Sequence, residues 1–101
     1  MFDFEQLDKT IHERSKLSIM SLLSGRGAWS YQELKNELDM SDGNLITHLR
    51  KLTDVGYVSE TKEDTGGGRP RTVFAITRQG RIAFNGYINA LEEIVKLNKP
   101  D

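Results

Sequence analysis

Asn44, Thr47, Arg50 and Lys51 recur within the run Ser41 to Gly56, which reads SDGNLITHLRKLTDVG. Stepped at about 100° per residue, these four and Gly43 gather on one side of a helix, and Leu45, Leu49 and Leu52 gather on the other. Short hydrogen-bonding side chains suit base edges, and cations suit phosphates. The polar side therefore has the chemistry of a helix laid in a DNA major groove, with Asn44 and Thr47 for bases and Arg50 and Lys51 mainly for phosphate. Gly43 would let the backbone come close. An ordinary surface helix with a solvated side shows the same pattern, and on this run alone the two readings stand level.

Three neighbours of this set have other first roles. Ser41 is placed to cap the helix, since its oxygen can satisfy a free backbone N–H, and a phosphate contact would be additional. Asp42 would repel phosphate, so it faces solvent or accepts from a cytosine amine. His48 sits beside the leucine side and reads as a hydrogen-bonding residue at the core edge rather than a ligand or catalytic base.

The elements that must hold this helix follow from periodicity and punctuation. A first helix is expected from about Phe4 to Ser24, stopped at Gly25-Arg26-Gly27. Its apolar residues lie on more than one side, and the terminal phenylalanines add to the excess, so a contact with another subunit is expected there; a frayed terminus is the alternative. Ala28 and Trp29 form a short extended piece, with Trp29 read as core. Ser30-Tyr31-Gln32-Glu33 is a capping-box pattern opening a short helix that buries Tyr31, Leu34 and Leu38. Asp39 and Met40 then turn into the helix at Ser41, a helix-turn-helix arrangement.

After Gly56 the period changes to two. Tyr57 to Lys62 and Thr72 to Ile76 alternate as strands, joined by a glycine-rich loop holding Gly66-Gly67-Gly68-Arg69-Pro70-Arg71. That loop lacks the Lys-Ser/Thr pair of a phosphate-binding P-loop and leads into a strand, so nucleotide binding is rejected. Arginines on a flexible hairpin suit a DNA backbone or a narrow minor groove, and Lys62, Arg69 and Arg71 are assigned there. Thr77 caps a last helix, 78–98, with Pro100 forbidding continuation. Its Phe84, Tyr87, Ile88, Leu91, Ile94 and Val95 fall in a stripe about 120° wide. At roughly 30 Å the helix exceeds what a compact core needs, so pairing between two copies is favoured. Arg78 and Arg81, cations at a helix start, have no evident stabilising role there; a phosphate would explain them.

The chain has 101 residues and no cysteine, which fits one domain (1–101) and excludes disulfides, thiolate metal sites and thiol nucleophiles. Two histidines offer no metal site within one chain, and no cofactor is expected. No apolar run of spanning length and no leader pattern is present, so the default compartment is the cytoplasm and no membrane partner is expected. Net charge is −1, which counts mildly against nucleic acid, but four arginines and no acid lie between Thr65 and Arg81. A local cationic patch on a neutral protein can still supply phosphate contacts. No acid-base motif supports an enzyme.

The order of helix, short strand, helix-turn-helix, hairpin and long helix is that of a winged-helix domain. The expected fold class is α+β, mainly α, with a three-helix core, a β-hairpin wing (57–76) and a long C-terminal helix. The sequence resembles the winged-helix DNA-binding transcriptional regulators of bacteria and archaea related to the MarR and ArsR groups. The resemblance is carried by Ile11 to Arg14 leading to Leu17 to Met20, Tyr31 to Lys35, Ser41 to Leu49, Gly56-Tyr57-Val58, Arg69 to Thr72, Ile76-Thr77 and Gly80-Arg81. It implies a homodimer on double-stranded DNA, the helix 41–53 in the major groove and the wing on backbone or minor groove. A small-molecule effector could sit between subunits, and nothing in the sequence nominates one. Members that sense metals need cysteine or histidine clusters, so no metal site is carried over. The dimer contact is expected at Phe4, Leu7, Ile11, Phe84, Tyr87, Ile88, Leu91, Ile94 and Val95. A winged-helix protein-interaction module without DNA binding, favoured by the near-neutral charge, is the alternative.

Overall fold

A computed structural model describes residues 1–99. After a 3-10 turn at Phe4–Gln6 the elements are α1 (Arg14–Arg26), β1 (Ala28–Ser30), α2 (Tyr31–Leu38), α3 (Asp42–Asp54), β2 (Val58–Glu63), β3 (Arg71–Ile76) and α4 (Arg78–Asn98). This is the winged-helix order, mainly helical, with a three-stranded antiparallel sheet in the order β1-β3-β2. Pro100 lies outside the described residues.

Local chemistry accounts for most boundaries. Ser30 and Glu33 exchange both hydrogen bonds of the capping box at the start of α2. Ser41 and Thr77 each accept a backbone N–H three residues on, opening α3 and α4. The first helix departs from expectation, because it begins at Arg14 rather than near Phe4. Two carboxylates explain the difference: Asp8 accepts the N–H groups of Thr10 and Ile11, and Glu13 accepts those of Ser15 and Lys16. Side chains that bind the backbone in this way hold a turn and then a helix start, so the segment before Arg14 cannot join the helix. At the other end α1 runs through Gly25 and stops at Gly27, whose φ of 94° is left-handed.

One core ties these elements together. Ile19, Met20 and Leu23 from α1, Leu34 from α2, the three leucines of α3, Val58, Phe74 and the inner residues of α4 are buried. Ile11, fully buried, plugs this core from the turn before α1. The turn is itself tied down, since the Tyr57 hydroxyl donates to Asp8 at 2.5 Å and the Tyr87 hydroxyl meets His12 Nδ1 at 2.7 Å. Trp29 is half-buried rather than enclosed: its indole N–H donates to the Leu22 carbonyl, and Arg26 stacks over the ring.

Only part of the α4 stripe reaches this core. Phe84, Tyr87 and Ala90 are buried, Ile88, Leu91 and Ile94 are half-buried, and Val95 and Leu97 stand 51 % and 68 % exposed. The molecule is accordingly elongated, 58 × 25 × 21 Å. The expectation that Ile11, Phe84 and Tyr87 face another subunit is therefore corrected: they are enclosed by their own chain, because α4 turns its first three turns onto α1 and the N-terminal segment.

Candidate nucleic-acid interface

The polar side of α3 is presented outward because its leucines are not free to turn. Leu45, Leu49 and Leu52 have no exposed surface, which fixes the rotation of the helix and leaves Ser41, Gly43, Asn44, Thr47, Arg50 and Lys51 exposed. The Ser41 oxygen accepts the Asn44 N–H at 3.3 Å, so its first role is the cap. Thr47 donates its hydroxyl proton to the Gly43 carbonyl at 2.7 Å. It therefore offers outward only a methyl group and lone pairs, which suit a thymine methyl or a base amine. Arg50 and Lys51 belong to no ion pair among the described residues. A Cβ built on Gly43 would meet nothing within 4 Å, so the surface beside it is open.

Two side-chain clusters hold α3 in this pose. The Tyr31 hydroxyl donates to Asp42 Oδ1 at 2.7 Å and Lys35 donates to Oδ2 at 3.1 Å, clamping the first turn of α3 to α2. The hydrogen bond from Tyr31 and then the Lys35 ammonium hold the Asp42 carboxyl below its ordinary range. Partial burial and the acceptance of its proton by Asp42 push the Tyr31 hydroxyl up to about 12. Both Asp42 oxygens are thus engaged within the chain, while the side chain keeps 69 % of its surface exposed and faces solvent, as its position suggests. On the other side, Lys16 of α1 lies 3.1 Å from His48 Nδ1 and 3.2 Å from Glu13. An ammonium can only donate, so Nδ1 of His48 accepts, and the residue is the hydrogen-bonding group at the core edge that its position suggests.

The wing carries less free positive charge than its sequence implies. Register places Glu63 opposite Arg71, and the two form an ion pair at 2.5 Å. Lys62 donates to the Thr72 hydroxyl at 2.7 Å and has Glu60 at 3.8 Å. With Asp64 included, the acids of the hairpin equal its bases, Lys62, Arg69 and Arg71. Arg69, exposed near the tip, has no ion-pair partner among the described residues. Beyond the wing Arg78 is exposed at the start of α4, and Arg81 reaches back to the Ser24 carbonyl at 3.4 Å, a structural use not expected from its position.

Lys62 and Arg71 come beside α3. Together with Glu60, Thr72 and Phe74 of the sheet, Tyr31 and Gln32 of α2 and Ile46 of α3, they line a cleft of about 400 Å³. The hairpin base thus stands on the Ile46 flank of α3, next to the exposed polar face. Sequence reading missed Tyr31 and Lys35 as the residues that orient α3. It also missed Glu63 as the partner of Arg71, although the hairpin register was its available signal.

Of the expected subunit contacts, Phe4 is 62 % exposed and edge-stacked on Phe2, and Leu7, Ile88, Leu91 and Ile94 are half-buried. Ile82, 65 % exposed on α4, was not anticipated.

A half-buried helix with a polar outer face, set beside a β-hairpin on a three-helix core, defines a winged-helix domain. Residues 15–95 match the family described as winged helix DNA-binding domain, and the chain belongs to that family. It is 42 % identical over 84 residues to the uncharacterized protein MJ0432 of Methanocaldococcus jannaschii, covering 83 % of this chain and 87 % of that one. The structure of a transcriptional regulator homologue from Pyrococcus horikoshii OT3 superposes with a TM-score of 0.85 at 28 % identity, over 94 % of this chain and 95 % of that one. MarR (TM-score 0.75, 17 % identity, 92 % of this chain and 66 % of that one) and the ArsR family regulator RHA00566 (0.62, 22 %, 91 % and 94 %) share the fold. Among the described residues no helix is long and apolar enough to cross a membrane.

Proposed function

We propose that this protein is a dimeric, sequence-specific DNA-binding transcriptional regulator that acts in the cytoplasm by binding rather than catalysis. The observation that carries the reading is the outer face of α3: Asn44, Thr47, Arg50 and Lys51 are exposed on a helix whose opposite face is wholly buried, and among the described residues neither cation is neutralised by an acid. In the major groove Asn44 pairs with base edges, Thr47 accepts or packs against a methyl, and Arg50 and Lys51 hold phosphates, with Ser41 as an additional phosphate contact. Arg69 and Arg71 of the wing, with Lys62 and then Arg78, meet the backbone or minor groove beside it. Two copies pair through the outer half of α4 and the N-terminal aromatics, where Phe4, Ile88, Leu91, Ile94, Val95 and Leu97 leave apolar surface uncovered. Two-fold pairing sets two α3 helices on half-sites about one helical turn apart.

Selection of bound duplexes from a random pool tests the whole reading. A palindromic consensus is expected, and Asn44→Ala relaxes it at one position per half-site. A pool that emerges unenriched refutes it. The balanced charge of the wing favours a second reading, a protein-interaction module. The absence of any retention of random duplex at low salt would select that reading. Sedimentation at micromolar concentration tests pairing separately, and a monomer there refutes it.

A further inference from the structure

The two flanks of α3 are furnished differently. A helix with side chains is about 10–12 Å across and the major groove about 12 Å wide, so a helix lying in it faces a phosphate strand on each flank. The Ile46 flank faces the hairpin. Asn44, roughly 160° from Ile46 around the helix, borders a polar hollow of about 460 Å³ instead. Its walls are Ser41 and Asn44 of α3 and Arg14, Ser15 and Ser18 of α1, and Glu37 and Asp39 lie on its α2 side.

Part of the polar lining of this hollow is already engaged. The Ser15 N–H donates to Glu13, the Ser18 hydroxyl donates to the Ser15 carbonyl, and the Ser41 oxygen holds the Asn44 N–H. The exposed Arg14 guanidinium is not: it belongs to no ion pair among the described residues, although Glu37 and Asp39 line the same hollow. A guanidinium kept out of ion pairs at the rim of an interface is available to an anion approaching from outside.

We infer that Arg14, outside both the helix-turn-helix and the wing, grips a DNA phosphate on the strand opposite the one the hairpin faces. The inference rests on the DNA-binding reading above and extends the interface onto α1, so that α3 is held from both sides. Glu37 and Asp39 bound the contact by repelling a phosphate from the depth of the hollow, which places it at the Arg14 rim beside Asn44.

The test is the salt dependence of binding to a fluorescent random-sequence duplex, measured for the wild-type protein, Arg14→Ala, Arg14→Lys and Glu37→Gln. Arg14→Ala lowers affinity several-fold and makes the slope of log K against log salt shallower by about one. Arg14→Lys keeps the slope, and Glu37→Gln tightens binding. Unchanged melting temperatures show that the fold is not the cause. Wild-type affinity and slope in Arg14→Ala would overturn the role of Arg14 while leaving the DNA reading intact. A wild-type protein that retains no duplex at low salt would overturn both.

Discussion

Gly80, in the first turn of α4, is buried against the chain where the wing begins, and alanine there has a calculable cost. An added Cβ would fall 3.0 Å or less from three heavy atoms: the Tyr57 carbonyl oxygen, the Tyr57 carbonyl carbon and Ile76 Cγ1. Two of these are backbone, and the Tyr57 oxygen already accepts the Thr77 N–H at 3.0 Å, so the strain cannot be relieved by turning a side chain. Overpacking costs about 1–3 kcal/mol, and rigid neighbours put this site at the upper end. Alanine recovers about 0.5–1 kcal/mol of helix propensity, leaving a net loss of about 2 kcal/mol. For a domain of this size that lowers the melting temperature by roughly 10 °C. Gly86 in the same helix is the control: a Cβ there meets nothing within 4 Å, so Gly86→Ala raises the melting temperature by a few degrees. Thermal melts followed by circular dichroism at one protein concentration read both variants. If Gly80→Ala melts at or above the wild-type protein, the proposed packing of α4 on the wing junction is wrong.

Gly43→Ala separates folding from binding: with open space around the site it stabilises α3 by about 0.5–1 kcal/mol, yet in the proposed complex its methyl would stand between the helix backbone and DNA, so affinity should fall. Equal affinity of the two proteins would remove Gly43 from the interface. Glu63→Gln releases Arg71 from its ion pair, and a few-fold tighter, more salt-sensitive duplex binding is expected; no change in affinity would mean that Arg71 does not reach phosphate. Acid sensitivity follows from three carboxylates at helix starts whose folded values are lowered. In Glu13 partial burial pushes upward but is outweighed by the Ser15 and Lys16 N–H groups and the Lys16 ammonium; in Glu33 the Ser30 N–H leads; in Asp42 the Tyr31 hydroxyl leads. Lowered values mean that this stability is present above the ordinary 4.5 and 3.8 and is lost as pH falls through the lowered ones. Urea midpoints should therefore hold from neutral pH to about 5 and then fall, and Asp42→Asn should make that fall shallower. An equally steep fall in that variant would discount the clamp from Tyr31 and Lys35.

The helix starts at Ser30, Ser41 and Thr77 were legible in the chain because each cap closes over three residues, a distance that sequence spacing specifies directly. The buried side of α3 was legible for a similar reason, since three leucines at helical spacing leave one way for that helix to face. Charge read in sequence blocks failed at the wing. The acid-free stretch from Thr65 to Arg81 begins just after Glu63, and the hairpin register folds that acid back onto Arg71. The same limit applies to Ile11, Phe84 and Tyr87. Their hydrophobic pattern demands a partner without saying whose, and only the placement of α4 against α1 and the N-terminal turn assigns them to their own core. Sequence determined most of what lies within reach of a single turn of backbone, namely three helix starts and the buried faces, though not the Asp8 turn and Glu13 cap that delay α1 to Arg14. The tertiary structure decided every pairing across the chain, because a side chain's distant partners depend on register and helix rotation, which no local spacing encodes.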